Sequence, residues 1–279
     1  MTRKRKRRRR GRGGLLVLLL AALLALRLWY DNFTVGAPEY TVAAAEIPQA
    51  FDGFRISVVS DLHGNRRLYS ALVNAVAEAE PDIIALTGDL CDREDQWPEL
   101  EPLLKSLTAL APVYYVSGNH EWADLAAEPF FDKLAQAGVT LLRNDWTLLE
   151  KGGASLLLAG VEDPNGYADM LTPAELAEGI RQAAPDAFSI LLSHRPGRFP
   201  AYAELGFRLT LSGHNHGGLV RLPILGGLVS PGGWLPRYDR GLFTLGDCRM
   251  IVSGGLSGSM GVPRLFNRPE APVIILGKR

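Results

Sequence analysis

The alternation of short apolar runs with amphipathic segments constrains the fold of this chain more than any other feature. Residues 56–60, 83–86 and 113–116 are mainly apolar runs of strand length, and residues 68–80 and 97–110 between them carry apolar side chains at helical spacing. Strands that alternate with helices in this way pair mainly in parallel. The pattern therefore predicts an α/β fold with a largely parallel or mixed sheet.

The second half of the chain continues the alternation. Thr172, Pro173 and Glu175 supply an N-cap, a proline at the first helical position and a capping-box acid, which predicts a helix to about residue 184. Further apolar runs predict strands at 139–142, 156–159, 190–192 and 209–211. Neither a repeat nor a second linker interrupts residues 52–279, so we expect one domain. A chain of 279 residues with 47% apolar side chains can bury a core of that size.

The amino terminus has a composition of its own. Residues 1–14 carry nine Lys or Arg and no acidic side chain, whereas the other 265 residues have a net charge of −9. Residues 15–26 are all apolar, and residues 13–30 would span about 27 Å as a helix, close to the hydrocarbon thickness of a bilayer. Trp29 and Tyr30 suit the membrane interface. By the positive-inside rule we expect a basic cytoplasmic tail (1–12), a transmembrane signal-anchor (13–30), a juxtamembrane connector (31–51) and an extracytoplasmic domain (52–279).

Other interpretations of this terminus remain open. A basic stretch before a 12-residue apolar run also describes a cleavable signal peptide, although no small-x-small cleavage site follows Leu26. The pair Arg9-Arg10 would also allow twin-arginine export. A basic tail joined to an acidic body is not a nucleic-acid-binding domain with a basic face, so no nucleic-acid partner is expected.

All five histidines of the chain follow predicted strands. The loops at these strand ends contain, in chain order, Asp61, His63, Asp89, Asn119, His120, His194, His214 and His216. Open α/β sheets bind ligands beyond the carboxyl ends of their strands, so we expect these side chains to gather at one place. Asp61 and His63 are two residues apart, as are His214 and His216, so in extended chain each pair points to one side.

Imidazole, carboxylate and amide ligands without thiolate suit divalent ions such as manganese, iron or zinc. Even without His120, the seven other side chains are too many for one ion with an open position. The set favours two ions about 3.5–4 Å apart, bridged by a carboxylate and a hydroxide. Such a pair acidifies the bridging water and neutralises the charge that builds up on an attacked phosphoryl group. The pattern therefore indicates phosphoester hydrolysis.

The ordered motifs resemble those of the calcineurin-like metallophosphoesterases. The match is D-x-H, G-D, G-N-H-[DE], an isolated histidine and G-H-x-H, within residues 52–276. Residues 238–269 are similar to the branch of small membrane- or cell-wall-associated enzymes, some of which hydrolyse the pyrophosphate of UDP-2,3-diacylglucosamine. The resemblance implies an α/β sandwich of two mixed sheets flanked by helices, here preceded by the transmembrane helix.

The resemblance also implies a role for each motif residue. The implied ligands are Asp61, His63 and His216 for the first ion, Asn119, His194 and His214 for the second, and Asp89 bridging both. His120 would contact the phosphate and protonate the leaving group. In the extended motif G-D-x-x-D-R, Asp92 would orient His120 and Arg93 would hold a phosphate oxygen. The branch usually has threonine at position 215, and Asn215 should point away from the metals.

The expected function is metal-dependent hydrolysis of a phosphodiester or pyrophosphate in a lipid-linked or envelope substrate. A phosphomonoesterase with the same metal centre is the alternative, and a catalytically idle membrane-anchored binding module is a rival from another class. Two further points stay open. Residues 219–236 carry one charge, Arg221, and would form either an apolar rim for a lipid-bearing substrate or a hairpin packed in the core. Cys91 and Cys248 would be either free buried thiols or a disulfide.

Overall fold

A computed structural model describes residues 2–123, 125–167, 170–222, 224–231, 233–258 and 262–279, with side chains from residue 14 onward. Its helices are α1 (Thr2–Phe33), α2 (Tyr69–Glu78), α3 (Trp97–Thr108), α4 (Asn119–Ala123), α5 (Ala127–Gln136), α6 (Pro173–Ala183) and α7 (Phe199–Glu204). Its strands are β1 (Glu39–Ala44), β2 (Arg55–Val59), β3 (Ile83–Thr87), β4 (Val113–Val116), β5 (Val139–Leu141), β6 (Asp145–Lys151), β7 (Ala154–Val161), β8 (Ser189–Ser193), β9 (Leu209–Ser212), β10 (Arg221–Leu222), β11 (Gly226–Gly227), β12 (Val229–Ser230), β13 (Gly233–Trp234), β14 (Gly241–Leu245), β15 (Cys248–Val252) and β16 (Val273–Lys278).

Two six-stranded mixed sheets form the body of the molecule. Their strand orders are β1-β16-β2-β3-β4-β5 and β14-β15-β9-β8-β7-β6. In the first sheet only β16 and β2 pair antiparallel. In the second, β14 with β15 and β6 with β7 pair antiparallel. The predicted α/β sandwich of two mixed sheets is therefore confirmed.

The core lies between the facing sheets and under the helices on their outer faces. Between the sheets, Val58 and Ala85 of the first pack in one cluster with Ile190 and Leu211 of the second. Helices α2, α3 and α5 cover the outer face of the first sheet, and α6 covers that of the second. Because β3 is buried at all five positions, its sequence is a continuous apolar run rather than an alternating one.

Most predicted elements are present within one or two residues of their expected bounds. They are β2, β3, β4, β5, β7, β8 and β9 together with α2, α3 and α6. Helix α6 begins with the predicted capping box: Thr172 Oγ1 accepts from the Glu175 N–H, and Glu175 Oε2 accepts from the Thr172 N–H.

Residues 31–51 are not the simple connector that we predicted. Strand β1 pairs in parallel with β16 from Glu39 opposite Val273 to Ala44 opposite Lys278, so it extends the first sheet. Helix α1 also continues to Phe33, past the expected boundary at residue 30. The sequence signal is weak because β1 is an edge strand whose partner lies at the other end of the chain. The domain therefore includes most of the predicted connector.

The apolar part of α1 projects from this domain. Residues Gly14–Phe33 are long and apolar enough to cross a membrane, by length and composition, and few of their side chains are buried. Cys91 and Cys248 are both buried free thiols, and they lie in separate clusters of the core.

We predict that β1 contributes to the stability of the domain. A chain that begins at residue 45 should have a free energy of unfolding lower by at least about 3 kcal/mol than one that begins at residue 34. Losing the buried Val42 costs roughly 2 kcal/mol, and each lost ladder hydrogen bond adds about 1 kcal/mol. Urea denaturation followed by circular dichroism measures the difference. Equal midpoints and slopes of the two unfolding curves would show that β1 does not contribute to the stability of the domain.

Candidate metal centre

The carboxyl ends of five strands bring the predicted site residues to one edge of the sandwich. Asp61 follows β2, Asp89 follows β3, and Asn119 follows β4 in the first sheet. His194 follows β8 and His214 follows β9 in the second. Among the described residues, three groups have ligand atoms within 4.8 Å of one another, and two of them consist of predicted ligands alone: Asp61, His63 and His216, and Asp89, His194 and His214.

The first group is oriented by hydrogen bonds on the outer nitrogens of its imidazoles. His216 Nδ1 bonds the Ser257 carbonyl oxygen at 3.1 Å, while its Nε2 lies 3.6 Å from Asp61 Oδ1. His63 Nδ1 bonds Asp92 Oδ1 at 2.6 Å. The buried Nε2 of His63 has no hydrogen-bond partner within the described part of the chain. Both inner Nε2 atoms are therefore available as ligands.

The second group has the same construction. His194 Nδ1 bonds the Thr87 carbonyl oxygen at 2.7 Å, so its Nε2 faces inward, 3.1 Å from Asp89 Oδ2 and 3.1 Å from His214 Nδ1. The side-chain oxygen of Asn119 is buried and has no hydrogen-bond partner among the described residues. A buried acceptor of this kind needs a donor or a cation.

Asp89 lies between the two groups. Its Oδ2 is 3.1 Å from His194 Nε2 in the second group and 3.9 Å from His63 Nε2 in the first. Its Oδ1 accepts the backbone N–H of His120 at 3.0 Å. From this position one carboxylate would be able to ligate two adjacent ions.

Two divalent cations fit this set of donors. Asp61 and Asp89 are completely buried carboxylates, which are costly without a positive partner. The orphaned oxygen of Asn119 and the orphaned nitrogen of His63 would each gain a partner from a bound ion. Oxygen and imidazole donors without thiolate are compatible with manganese, iron or zinc.

The backbone around the site is held in an uncommon conformation. Asp61, His63, Asp89, His214 and His216 all have positive φ, between 48° and 71°. Each such non-glycine residue costs on the order of 1 kcal/mol or more. Strained backbone at five predicted ligands is typical of a functional site, where contacts with the surrounding structure hold residues in unfavourable conformations.

The charges around the site move the pKa values of its imidazoles in opposite directions. Burial disfavours protonated His194, but the Asp89 carboxylate, the Asp61 charge and the Thr87 carbonyl together outweigh burial and raise the His194 pKa to about 10. Burial lowers the pKa of His214 to about 4, with the neighbouring His194 adding to the effect. Burial likewise lowers the pKa of His216 to about 4. His214 and His216 are therefore neutral near pH 7, the form in which imidazole binds a metal.

Glu121 is a buried residue that is not among the predicted site residues. Its carboxylate accepts backbone N–H groups of Asp89 at 3.0 Å, Leu90 at 2.7 Å and Gly118 at 2.7 Å. Burial, with the nearby Asp89 charge adding to it, raises the pKa of Glu121 to about 7. Glu121 thus ties the loop after β3 to the loop after β4. Its position directly after His120 is the one signal that the sequence offers.

Asp92 reaches His120 as predicted, whereas Arg93 does not enter the cluster. Asp92 Oδ1 lies 3.2 Å from His120 Nδ1 and also accepts from His63. The Arg93 guanidinium is mostly exposed and pairs with Asp95 at 3.0 Å instead. A phosphate contact by Arg93 would require the guanidinium to leave that carboxylate.

Two other side chains, Arg195 and Asn215, are adjacent in sequence to predicted ligands of the candidate metal centre. Arg195, directly after His194, makes two hydrogen bonds to Asp163, at 2.6 and 2.9 Å. Asn215 lies in the G-H-x-H motif, between His214 and His216, and its amide donates to the Tyr238 carbonyl oxygen at 2.7 Å. Asn215 therefore bonds the backbone near β14 and not the ligands.

Comparisons with known proteins agree with this arrangement. The family model for calcineurin-like phosphoesterases matches residues 54–218. An uncharacterized metallophosphoesterase of Bacillus subtilis, YkuE, is 27% identical over 256 residues, covering 89% of this chain and 87% of its own. The Escherichia coli phosphodiesterase YaeI is 28% identical, covering 80% and 82%. A zebrafish transmembrane protein with a metallophosphoesterase domain is 27% identical, and the match covers 84% of this chain but 56% of that longer protein.

We predict that Asp89 is required for both ions. The full chain should bind two Mn²⁺ ions, and Asp89→Ala should weaken binding of the pair by at least about 100-fold. That loss exceeds the one typical of a residue that only hydrogen-bonds a metal ligand. Asp186→Ala removes an exposed carboxylate and is the matched control. Equilibrium dialysis with elemental analysis measures the bound metal. Two tightly held ions in Asp89→Ala would contradict the assignment.

The close approach of Gly118 to Asp89 gives a second prediction. A Cβ at position 118 would lie 2.2 Å from Asp89 Oδ1 and 2.6 Å from its backbone nitrogen. Gly118→Ala should therefore displace Asp89 and reduce metal binding, and the melting temperature should fall. Gly179→Ala in α6 is the control, because nothing lies within 4 Å of its Cβ position, and it should gain about 0.5–1 kcal/mol in stability. Unchanged metal binding by Gly118→Ala would contradict the packing described.

Proposed function

The chain belongs to the calcineurin-like phosphoesterase family, and we propose that it is a membrane-anchored hydrolase of phosphodiester or pyrophosphate bonds. The observation that carries the proposal is the position of Asp89 between two groups of ligand side chains, with His120 beside them. Two adjacent cations suit displacement at phosphorus, because they can stabilise both the attacking and the leaving oxygen.

The ligand side chains would hold the metals in a fixed geometry. Asp61, His63 and His216 would bind one ion, Asn119, His194 and His214 the other, and Asp89 both. When bound, the ions would supply a water of lowered pKa and neutralise charge on the phosphoryl oxygens. The carbonyl groups of Thr87 and Ser257 fix the rings of His194 and His216, so that little reorganisation is needed on substrate binding.

His120 would protonate the leaving oxygen. Its backbone N–H is fixed by Asp89, and its Nδ1 lies 3.2 Å from Asp92 Oδ1. Asp92 would hold the ring toward the substrate. About a third of the His120 side chain is exposed, in contrast to the completely buried His194, so a substrate can reach it.

A cation beside the ions would hold a further phosphate oxygen. We keep Arg93 as a candidate, provided that it exchanges Asp95 for the substrate. Arg195 is a second candidate, because Asp163 holds its guanidinium beside the second group of ligands. Both cations would be suited to an anionic substrate.

Anchoring in a membrane is a further part of the proposal. Helix α1 has the length and composition of a membrane span, and the basic residues before it favour a cytoplasmic amino terminus. The catalytic domain would then be extracytoplasmic, and a lipid-linked or envelope phosphoester would be within its reach. The names of the E. coli phosphodiesterase and the zebrafish transmembrane relative support a diester substrate and a membrane location.

Hydrolysis of chromogenic esters by the full chain in detergent tests the proposal. We expect cleavage of bis(p-nitrophenyl) phosphate in preference to p-nitrophenyl phosphate, with Mn²⁺ or Zn²⁺ and not with a chelator. Asp89→Ala should be inactive, and Asp186→Ala should be unaffected. Preference for the monoester would favour a phosphomonoesterase, and no turnover of either ester by folded, metal-loaded protein would contradict the proposal.

The role of His120 predicts a dependence on the leaving group. His120→Ala should lower kcat for a phenyl ester by roughly 100-fold or more. The loss should be much smaller for a p-nitrophenyl ester, because p-nitrophenolate leaves without protonation. Steady-state kinetics with a series of substituted phenyl esters measures the effect. Equal losses across the series would contradict a proton-donor role.

A further inference from the structure

The end of helix α1 is fixed to the domain. Asp31 Oδ2 accepts from Arg27 Nε at 2.7 Å and from the backbone N–H of Phe266 at 2.6 Å. Asn32 makes two hydrogen bonds to the backbone of Arg264: its amide donates to the carbonyl oxygen at 2.9 Å, and its side-chain oxygen accepts from the N–H at 3.0 Å. Asp31 is completely buried. The orientation of α1 relative to the domain is therefore set by specific contacts and not by a linker.

Large apolar side chains are exposed at Phe266, which contacts this end of the helix, and on two short hairpins. We call them the apolar tip surface, and its members are Leu222, Ile224, Leu225, Trp234, Leu235 and Phe266. Trp234 is 79% exposed and Leu225 is 66% exposed, so neither is packed in the core. Most of these side chains project from the short hairpins β10–β11 and β12–β13. Of the two interpretations of residues 219–236, the structure thus favours the exposed apolar rim.

Phe266 connects the apolar tip surface to the last turns of α1. The Phe266 ring packs 4.9 Å from the Arg27 guanidinium carbon. Arg27 is six residues before the end of the helix at Phe33, which is about 9 Å back along the helix axis. Phe266 also lines a groove of about 420 Å³ with Leu222 and Ile224. Apolar side chains of the domain therefore reach the level at which the proposed span enters the membrane.

Three residues of the apolar tip surface have unfavourable backbone dihedral angles. Ile224, Leu235 and Phe266 have φ of 76°, 50° and 54°. Positive φ is uncommon for non-glycine residues, and for a β-branched one such as Ile224 it is a clear outlier. Strain of this kind at exposed apolar residues points to an interaction that uses them.

The loop that carries Phe266 also contacts the candidate metal centre. Asn267, next to Phe266, donates to the carbonyl oxygens of His216 at 2.7 Å and Leu219 at 3.1 Å. Arg264 is completely buried and donates through Nε to the Ser257 carbonyl at 3.0 Å, the carbonyl that also bonds His216. The segment that carries Phe266 therefore also positions a predicted ligand.

We infer that the apolar tip surface inserts into the outer leaflet of the bilayer that α1 crosses, so that the catalytic domain lies on the membrane with its metal centre near the lipid headgroups. The inference rests on the proposed membrane anchoring. A bilayer is the occupant that the geometry favours, because Phe266 contacts the proposed span and lines one groove with Leu222 and Ile224. The exposed Arg237, directly after the second hairpin, suits anionic headgroups beside apolar side chains that enter the acyl region.

Environment-sensitive fluorescence on the full chain tests the inference. Ile224→Cys and Leu225→Cys place a thiol on the apolar tip surface, and both native cysteines are buried. Each variant is labelled with an NBD maleimide and reconstituted into vesicles of phosphatidylcholine with a minority of phosphatidylglycerol. We expect a blue-shifted emission that is quenched when lipids with a doxyl group on the acyl chain are included.

Leu110→Cys is the matched control. Leu110 is an exposed leucine just before β4, so it lies at the amino end of the sheet, whereas the candidate centre lies at the carboxyl ends. Its probe should show neither the shift nor the quenching. Emission that the doxyl lipid does not quench at either tip position would overturn the inference. A blue shift that increases with protein concentration and is not quenched by the doxyl lipid would also overturn it.

The readout separates this inference from the proposed activity. Adding Asp89→Ala to Ile224→Cys should abolish ester hydrolysis and leave the lipid quenching unchanged. Quenching without turnover in the single-cysteine protein would count against the proposed chemistry alone. Turnover without quenching would count against membrane insertion of the apolar tip surface alone.

Discussion

The structure of the candidate centre depends on the burial of one carboxylate, Asp89, at the end of a central strand. Two imidazoles face this group, His194 Nε2 at 3.1 Å and His63 Nε2 at 3.9 Å. Backbone hydrogen bonds fix it on both sides: its Oδ1 accepts from His120, and its own N–H donates to the buried Glu121. A buried carboxylate needs compensating positive charge. Two shared cations would provide it, which explains why the loops of both sheets converge on this position.

From this carboxylate the contacts continue outward to the amino-terminal helix. His216 is held through its backbone by Asn267, and the neighbouring Phe266 is held by Asp31 at the end of α1. The helix that would anchor the chain is thus part of the same packed structure as a predicted metal ligand. A phosphoesterase built in this way would present its centre to the membrane in a fixed orientation, which suits a substrate that stays in the lipid.

The sequence was sufficient for the elements whose signals are local. The central strands are buried on both faces, so their apolar runs are conspicuous, and all five histidines follow strands of this kind. Strand β1 was missed because its Tyr40 and Val42 are too few to mark an edge strand whose partner is more than 200 residues away. The direction of Arg93 was not predictable because Asp95, two residues later, competes for it. The three hydrogen bonds of Glu121 depend on two loops meeting in space.

Electron paramagnetic resonance of the Mn²⁺-loaded full chain would show whether Asp89 joins two metal ions, as we claim. Two Mn²⁺ ions about 3.5–4 Å apart and sharing a bridge are exchange-coupled. We therefore predict a broad, temperature-dependent spectrum of a coupled pair at two ions per chain. The six-line spectrum of isolated Mn²⁺ at the same loading would contradict the claim, because it would mean that the ions bind independently.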